Sequence, residues 1–261
     1  MRVKEIADGK HPFAYEDEPA TKARAVIRDL KLRILPIADA NKKLLGIVTR
    51  TDIMAISSSI SPITVKGIMV DSKYVASIDG DVVLTIKEML RADAWHVPVT
   101  NSPEEKTYRG VLSLENYIEV MIKTSPEKFA KSVSEVMSTD IVTCTPEDEV
   151  EKIWRLMQTE GFAGLPVVKK NKLIGIVTQI DLLKSGAVSP TFESSKGRFR
   201  ASPKISSVMK TGIIAVKPSI KVIRVAKIMV FKGIGRIPVI DEEDRLLGIV
   251  DREDVARLLI K

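Results

Sequence analysis

One cysteine and two histidines in 261 residues leave almost nothing from which to build a disulfide framework or a metal centre. Cys144 cannot pair internally, fits a reducing compartment, and is expected as a small buried apolar residue. His11 and His96 stand far from any second ligand at metal spacing. A P-loop and a Gly-x-Ser-x-Gly nucleophile elbow are both missing. Gly233-Ile234-Gly235 lacks the third glycine of a dinucleotide fingerprint and is expected to punctuate a helix end. Asp and Glu are plentiful, but none pairs off as acid and base. No catalytic residue, catalytic cofactor or metal is therefore expected, and the protein is expected not to be an enzyme. No apolar run approaches the roughly 20 residues that span a bilayer, so no membrane partner is expected. Met1 to Ile6 contain no apolar stretch of the kind that signals secretion, which makes a cytoplasmic location the expectation.

Charge of one sign is also never concentrated. The net charge of +7 is spread along the chain and interleaved with acids. Such a surface favours phosphate-bearing ligands, nucleic acid or an acidic partner without specifying one. A nucleic-acid-binding or scaffolding role would use the stretch carrying Lys196, Arg198, Arg200 and Lys204, and its binding would fall steeply with salt.

What the sequence has is a phrase said four times. A glycine, two aliphatics, a hydroxyl residue or Asp, two variable residues and Asp or Asn recur as Gly46-Ile47-Val48-Thr49-Arg50-Thr51-Asp52, Gly110 to Asn116, Gly175 to Asp181 and Gly248 to Asp254. The glycines lie 64, 65 and 73 residues apart. Before each comes an aliphatic-Pro-aliphatic phrase, at Pro36, Pro98, Pro166 and Pro238. Ile68-Met69, Val136-Met137 and Val208-Met209 open three of the units, with Ile6-Ala7 in that place in the first. Recurrence of this order at such a period marks tandem structural repeats.

Repeat 3 predicts the unit. Asp140 to Cys144 is short and β-branched, as a strand is. Thr145-Pro146-Glu147-Asp148 offers a hydroxyl cap, proline at the first helical position and acids in the first turn. Val150, Ile153, Trp154 and Met157 then share one helical face, and Gly161 ends the helix. Leu165 to Val168 and Leu173 to Val177 form a hairpin around the polar Lys169-Lys170-Asn171-Lys172, and a second helix begins near Asp181. The unit is strand, helix, strand, strand, helix, an α/β (α+β) arrangement. Its small sheet leaves an apolar face uncovered, so units should pair. Expected boundaries are residues 1–60, 61–125, 126–188 and 204–261 for the four repeats. Residues 189–203 form a linker within the polar insertion Ser185 to Lys204, which contains Gly186, Pro190, Gly197 and Pro203.

In order, spacing and wording the chain resembles the CBS domain family, over nearly its whole length. The resemblance implies two repeats per Bateman module, hence two modules, and a ligand-sensing role like that of the gamma subunit of AMP-activated protein kinase and of stand-alone archaeal proteins. It implies binding of AMP, ADP or ATP, with S-adenosylmethionine as the alternative, and signalling to a regulated protein partner. As a chain with four repeats, it is expected to be a monomer, with a homodimer as the alternative.

The motif acid of the family holds the ribose hydroxyls, a role that falls here to Asp52, Asn116, Asp181 and Asp254. The phosphate-side hydroxyls become Thr49, Ser113 and Thr178. The same Thr-x-x-Asp wording is also a helix capping box, and both roles can coexist. Arg33, His96 and Arg236 precede the prolines and match basic residues that reach phosphate across the family's central cavity, whereas repeat 3 has Gly164 there. Asn116 forgoes a charge-assisted bond and Asp251 replaces a hydroxyl with a phosphate-repelling carboxylate. The expected strong sites are therefore those of Asp52 and Asp181, one per module. Adenine walls are expected from Met137, Ile141 and Val142 in repeat 3 and from Pro12 and Phe13 in repeat 1.

Overall fold

The computed structural model describes residues 1–54, 62–185 and 202–260. Repeat 1 comprises β1 (Ala14–Tyr15), α1 (Ala20–Asp29), β2 (Ile34–Ala38), β3 (Leu44–Thr49) and α2 (Arg50–Met54). Repeat 2 follows the same order as β4 (Ala76–Ser77), α3 (Val82–Arg91), β5 (His96–Thr100), β6 (Tyr108–Ser113) and α4 (Leu114–Thr124). In both, the first strand runs parallel to the second, and the second pairs antiparallel with the third.

Repeat 3 consists of α5 (Val150–Thr159), β7 (Gly164–Lys169), β8 (Lys172–Thr178) and α6 (Gln179–Ser185), and repeat 4 of α7 (Val222–Lys232), β9 (Arg236–Ile240), β10 (Leu246–Asp251) and α8 (Arg252–Leu259). Here the leading strand shrinks to one bridged residue, Cys144 against Val167 and Val216 against Val239. The strand predicted over Asp140 to Cys144 is thus corrected to its last residue. Cys144 donates to the Pro166 carbonyl (3.0 Å) and accepts from Val168 (2.8 Å), whereas Val142 is 39% exposed. The hairpin forms as expected, with Lys170 and Asn171 both at positive φ in a two-residue turn. Val150, Ile153, Trp154 and Met157 are buried together.

The start of α5 also differs from expectation. Thr145 and Asp148 close a separate turn, with the Thr145 amide and hydroxyl donating to Asp148 Oδ2 at 2.8 and 3.0 Å. The helix begins at Val150, whose amide donates to the carbonyl of Pro203 in the segment leading into repeat 4. The same device starts all four first helices: Val82 donates to Met1, Ala20 to Ile63 and Val222 to Lys131. Each repeat's leading 3-10 turn therefore docks on its neighbour, reciprocally between repeats 1 and 2 and between repeats 3 and 4. Val3, Val65, Val133 and Ile205, two residues beyond each accepting carbonyl, are fully buried there.

Helices complete the packing in the other direction. One core joins α1 and α2 to α5 and α6, centred on Ile27, Ile53, Ile153, Trp154 and Leu182. A second joins α3 and α4 to α7 and α8 through Ile86, Met89, Tyr117, Val225, Met229 and Leu259. Each fully buried side chain of this kind contributes about 1.5–3 kcal/mol, so the modules are held together by their principal cores. A smaller cluster of Ile34, Leu44, Ile47, Tyr108 and Val111 joins the sheets of repeats 1 and 2. Residues 186–201 of the insertion lie outside the described residues. Among the described residues, no helix is long and apolar enough to cross a membrane.

Candidate functional site

The motif glycine marks a close crossing of chains. A Cβ on Gly175 would lie 2.7 Å from the Lys210 carbonyl, and one on Gly46 equally close to that of Val70. Gly248 meets Met137 and Ser138 in the same way, and Gly110 meets Asp8. Each of the four crossings brings one repeat's motif against the leading segment of its partner, the fourth being that of repeat 4.

Met137 lies against Gly248 of the repeat 4 motif, where Ser138 bridges Ile249. Pro12 and Phe13 go with the repeat 2 motif. Asp8 bridges Val111, the Tyr108 hydroxyl donates to the His11 carbonyl (3.0 Å), and the Phe13 and Tyr108 rings stand 5.3 Å apart. Met137 and Phe13 thus each lie beside the motif strand of the partner repeat.

All four motif acids or amides cap helices. Thr49 N and Oγ1 each donate to Asp52 Oδ2 at 2.7 Å. Ser113 donates to Asn116 Oδ1 (2.9 and 2.7 Å), Thr178 to Asp181 Oδ2 (3.0 and 2.5 Å) and Asp251 N to Asp254 Oδ2 (2.9 Å). Asp181 carries a further partner, Lys210 Nζ at 2.5 Å from Oδ1. Each acid or amide keeps acceptor capacity beyond its cap.

A cavity of about 690 Å³ is lined by residues of all four repeats. Its lining includes Ser113, Asn116, Asp8 and His11 of the first module and Thr178, Ile176 and the segment Lys210 to Ile214 of the second. Arg33, Arg50, His96, Arg236 and Arg252 line the same cavity. Of the residues expected in a site, the structure thus gathers Arg33, His96, Arg236, Ser113, Asn116 and Thr178 around one space. Thr49, Asp52, Asp181, Asp254, Pro12, Phe13, Met137, Ile141 and Val142 are not among its lining residues.

Arg50 and Arg252 were not anticipated. They occupy the position after the motif hydroxyl or Asp, the first residue of α2 and α8, where repeats 2 and 3 have Leu114 and Gln179; all four are buried. Arg50 Nε donates to the Leu32 carbonyl at 2.7 Å, and Arg236 Nη1 to that of Gly164 at 2.7 Å. Trp95, also unanticipated, lies between Arg33 (5.9 Å to the ring centroid) and Arg236 (5.6 Å), and its indole donates to Glu253. Gly235 makes room for the group, since a Cβ there would meet Arg33 Nη2 at 3.0 Å.

The cluster is cationic, with its guanidiniums crowded against one another. Burial, reinforced by Arg50, Arg236 and Arg252, holds Arg33 well below the usual arginine range. Burial lowers Arg50 to about 10 and also lowers Arg236 and Arg252. His96 is driven well below 6.5 by burial and by Arg33, so it is neutral at pH 7. Arg252 is 3% exposed; its Nη2 lies 2.7 Å from Glu115 Oε2 without hydrogen-bond alignment, and its Nε has no hydrogen-bond partner among the described residues. Buried donors left this way demand an acceptor. The fourth crossing has the opposite sign. Asp254 is pushed up to about 7 by burial and by Asp251, itself raised by burial. Of the basic residues proposed for nucleic acid, Lys196, Arg198 and Arg200 lie outside the described residues, and Lys204 pairs with Glu149 at 3.3 Å. Cys144 is buried, its thiol pushed up to about 12 by burial.

A family model described as CBS domain matches residues 3–59, 133–187 and 205–261. Protein MJ1225 of Methanocaldococcus jannaschii, itself uncharacterised, is 26% identical over 279 residues, covering 98% of each chain. The inosine-5'-monophosphate dehydrogenase of Korarchaeum cryptofilum is 33% identical over 128 residues, 49% of this chain but 24% of the dehydrogenase. Among solved structures, that of MJ1225, described there as a proposed archaeal homologue of g-AMPK, has a TM-score of 0.86 at 24% identity, covering 99% of this chain and 100% of its own. An uncharacterised conserved protein of Pyrococcus horikoshii has a TM-score of 0.68 at 21% identity, with the same coverage. These two likenesses establish the shared fold.

Proposed function

The chain belongs to the CBS domain family, and on that premise we propose that it is a non-catalytic regulatory protein that binds AMP, ADP or ATP in the central cavity. One observation carries this reading: four largely buried guanidiniums from repeats 1 and 4 converge on a cavity also lined by the motif residues Ser113, Asn116 and Thr178. Phosphates satisfy crowded guanidiniums through charge-assisted hydrogen bonds, which neutral groups cannot do. In this reading Asn116 holds a ribose, and Ser113 and Thr178 face phosphate. Because the arginines come from different modules, a bound phosphate draws repeats 1 and 4 together, and that geometry is what a protein partner would read.

Calorimetry with AMP, ADP and ATP tests the reading. Arg236→Ala is expected to weaken binding about 10- to 100-fold, the value of a hydrogen bond to a charged group, while Asp52→Ala leaves it within a factor of three or so. Adenosine binding as tightly as its nucleotides would count against the proposal. The paired Asp251 and Asp254 support a second reading for the fourth crossing alone, an adenosine carrying positive charge in place of phosphate, such as S-adenosylmethionine. A thermal shift with that ligand which disappears in Asp254→Asn is its expected signature.

A further inference from the structure

Two acids line the central cavity among the described residues. Asp8 stands 3.7 Å from His11. Glu115 stands at the guanidiniums themselves. It is the second residue of α4, so it enters the cluster from repeat 2 while the arginines come from repeats 1 and 4. Its Oε2 lies 2.7 Å from Arg252 Nη2, with the Arg252 side chain 4% and the Glu115 side chain 28% exposed. The contact is lopsided in what it satisfies: Arg252 Nε and Nη2 remain without an aligned acceptor. Glu115 neutralises part of the cluster's charge while leaving its hydrogen-bonding demand unmet.

We propose that Glu115 is a built-in counter-anion that competes with the ligand's phosphates for Arg252 and thereby limits how many phosphates the cavity accepts. Without ligand, a carboxylate offsets one of four crowded cations and keeps the ligand-free cluster tolerable. A phosphate entering the cluster then meets Glu115 as a like charge at close range, and the repulsion grows with each negative charge added. A monophosphate can use Arg33, Arg50 and Arg236 and leave Glu115 in place. A triphosphate must displace it. This rests on the nucleotide reading only for the nucleoside; the anion chemistry stands on the cluster alone.

Calorimetry on the full chain with inorganic phosphate, pyrophosphate and tripolyphosphate, and separately with AMP and ATP, separates the two. Glu115→Gln keeps the side chain's shape and removes its charge. Glu119→Gln removes an equal charge from the same helix at an exposed pair with Lys123. Glu115→Gln is expected to tighten tripolyphosphate roughly tenfold or more and phosphate by much less, with Glu119→Gln within about twofold of wild type. Tripolyphosphate binding seen only in Glu115→Gln supports the inference equally. Unchanged or weakened binding of tripolyphosphate in Glu115→Gln overturns it, as does a failure of both proteins to bind any inorganic anion. Should the inorganic anions respond as expected while AMP and ATP bind neither protein, the counter-anion stands and the nucleotide reading fails. If AMP and ATP bind while neither they nor tripolyphosphate respond to Glu115→Gln, the nucleotide reading stands and the counter-anion fails.

Discussion

Arg33, His96 and Arg236 could be picked out of the sequence because each sits just ahead of a strand proline, a position the repeat marks four times. Arg50 and Arg252 could not be singled out, although they adjoin the motif. Their place is filled by Leu114 and Gln179 in the other repeats, so no residue type recurs there. The motif acids were legible in both of their roles, and capping is the one that the hydrogen bonds display. Asp254 couples its burial to pH. Its folded value is raised to about 7 from 3.8, so between those values the folded state holds a proton that the unfolded state has released, and stability falls as pH rises through that window. Asp254→Asn, which places in repeat 4 the amide that repeat 2 uses as Asn116, is expected to remove this slope of up to about 1.4 kcal/mol per pH unit. Urea unfolding should show a larger gain at pH 8 than at pH 5; an equal gain at both would remove burial of the charge as the cause. Gly235→Ala should weaken nucleotide binding by about tenfold or more in calorimetry, since its Cβ would crowd Arg33. Unchanged affinity would show that the guanidiniums have room to shift.

At the level of elements, the amphipathic helices and the hairpins follow from periodicity and turn residues, whereas the leading segments do not. Nothing within Asp140 to Cys144 indicates that only its last residue pairs with a strand, because β-branching reports a half-buried extended chain and not its partner. The Thr145 turn similarly imitates a helix start, which the structure instead forms one turn later with the carbonyl of Pro203 as cap. A residue in such a connecting turn should therefore behave as core. Ile205→Ala is expected to cost about 2–4 kcal/mol in denaturant unfolding, whereas Leu84→Ala, on the exposed face of α3, should stay within about 0.5 kcal/mol. A small effect at Ile205 would mean that the swapped turn is an accessory to the helix start.

In the whole molecule, sheets and swapped turns join repeats within a module, and helices join the modules to each other. The number of repeats was legible because the wording recurs. The convergence of cations from repeats 1 and 4 was not, since proximity across modules leaves no trace in spacing. That convergence has a global consequence. Crowded guanidiniums oppose the assembled state until an anion arrives, so ligand binding should raise the thermal midpoint of the protein as one cooperative unit. At 100 times the dissociation constant the gain is about 2.7 kcal/mol. Two separate transitions, with one alone responding to nucleotide, would contradict a shared site. A crystal structure grown with AMP examines the central proposal most directly. The expected result places the phosphate within about 3 Å of nitrogens of Arg33, Arg50 and Arg236, with Glu115 still against Arg252 and the ribose at Asn116. AMP seated against Asp52 with the arginine cluster untouched would contradict it.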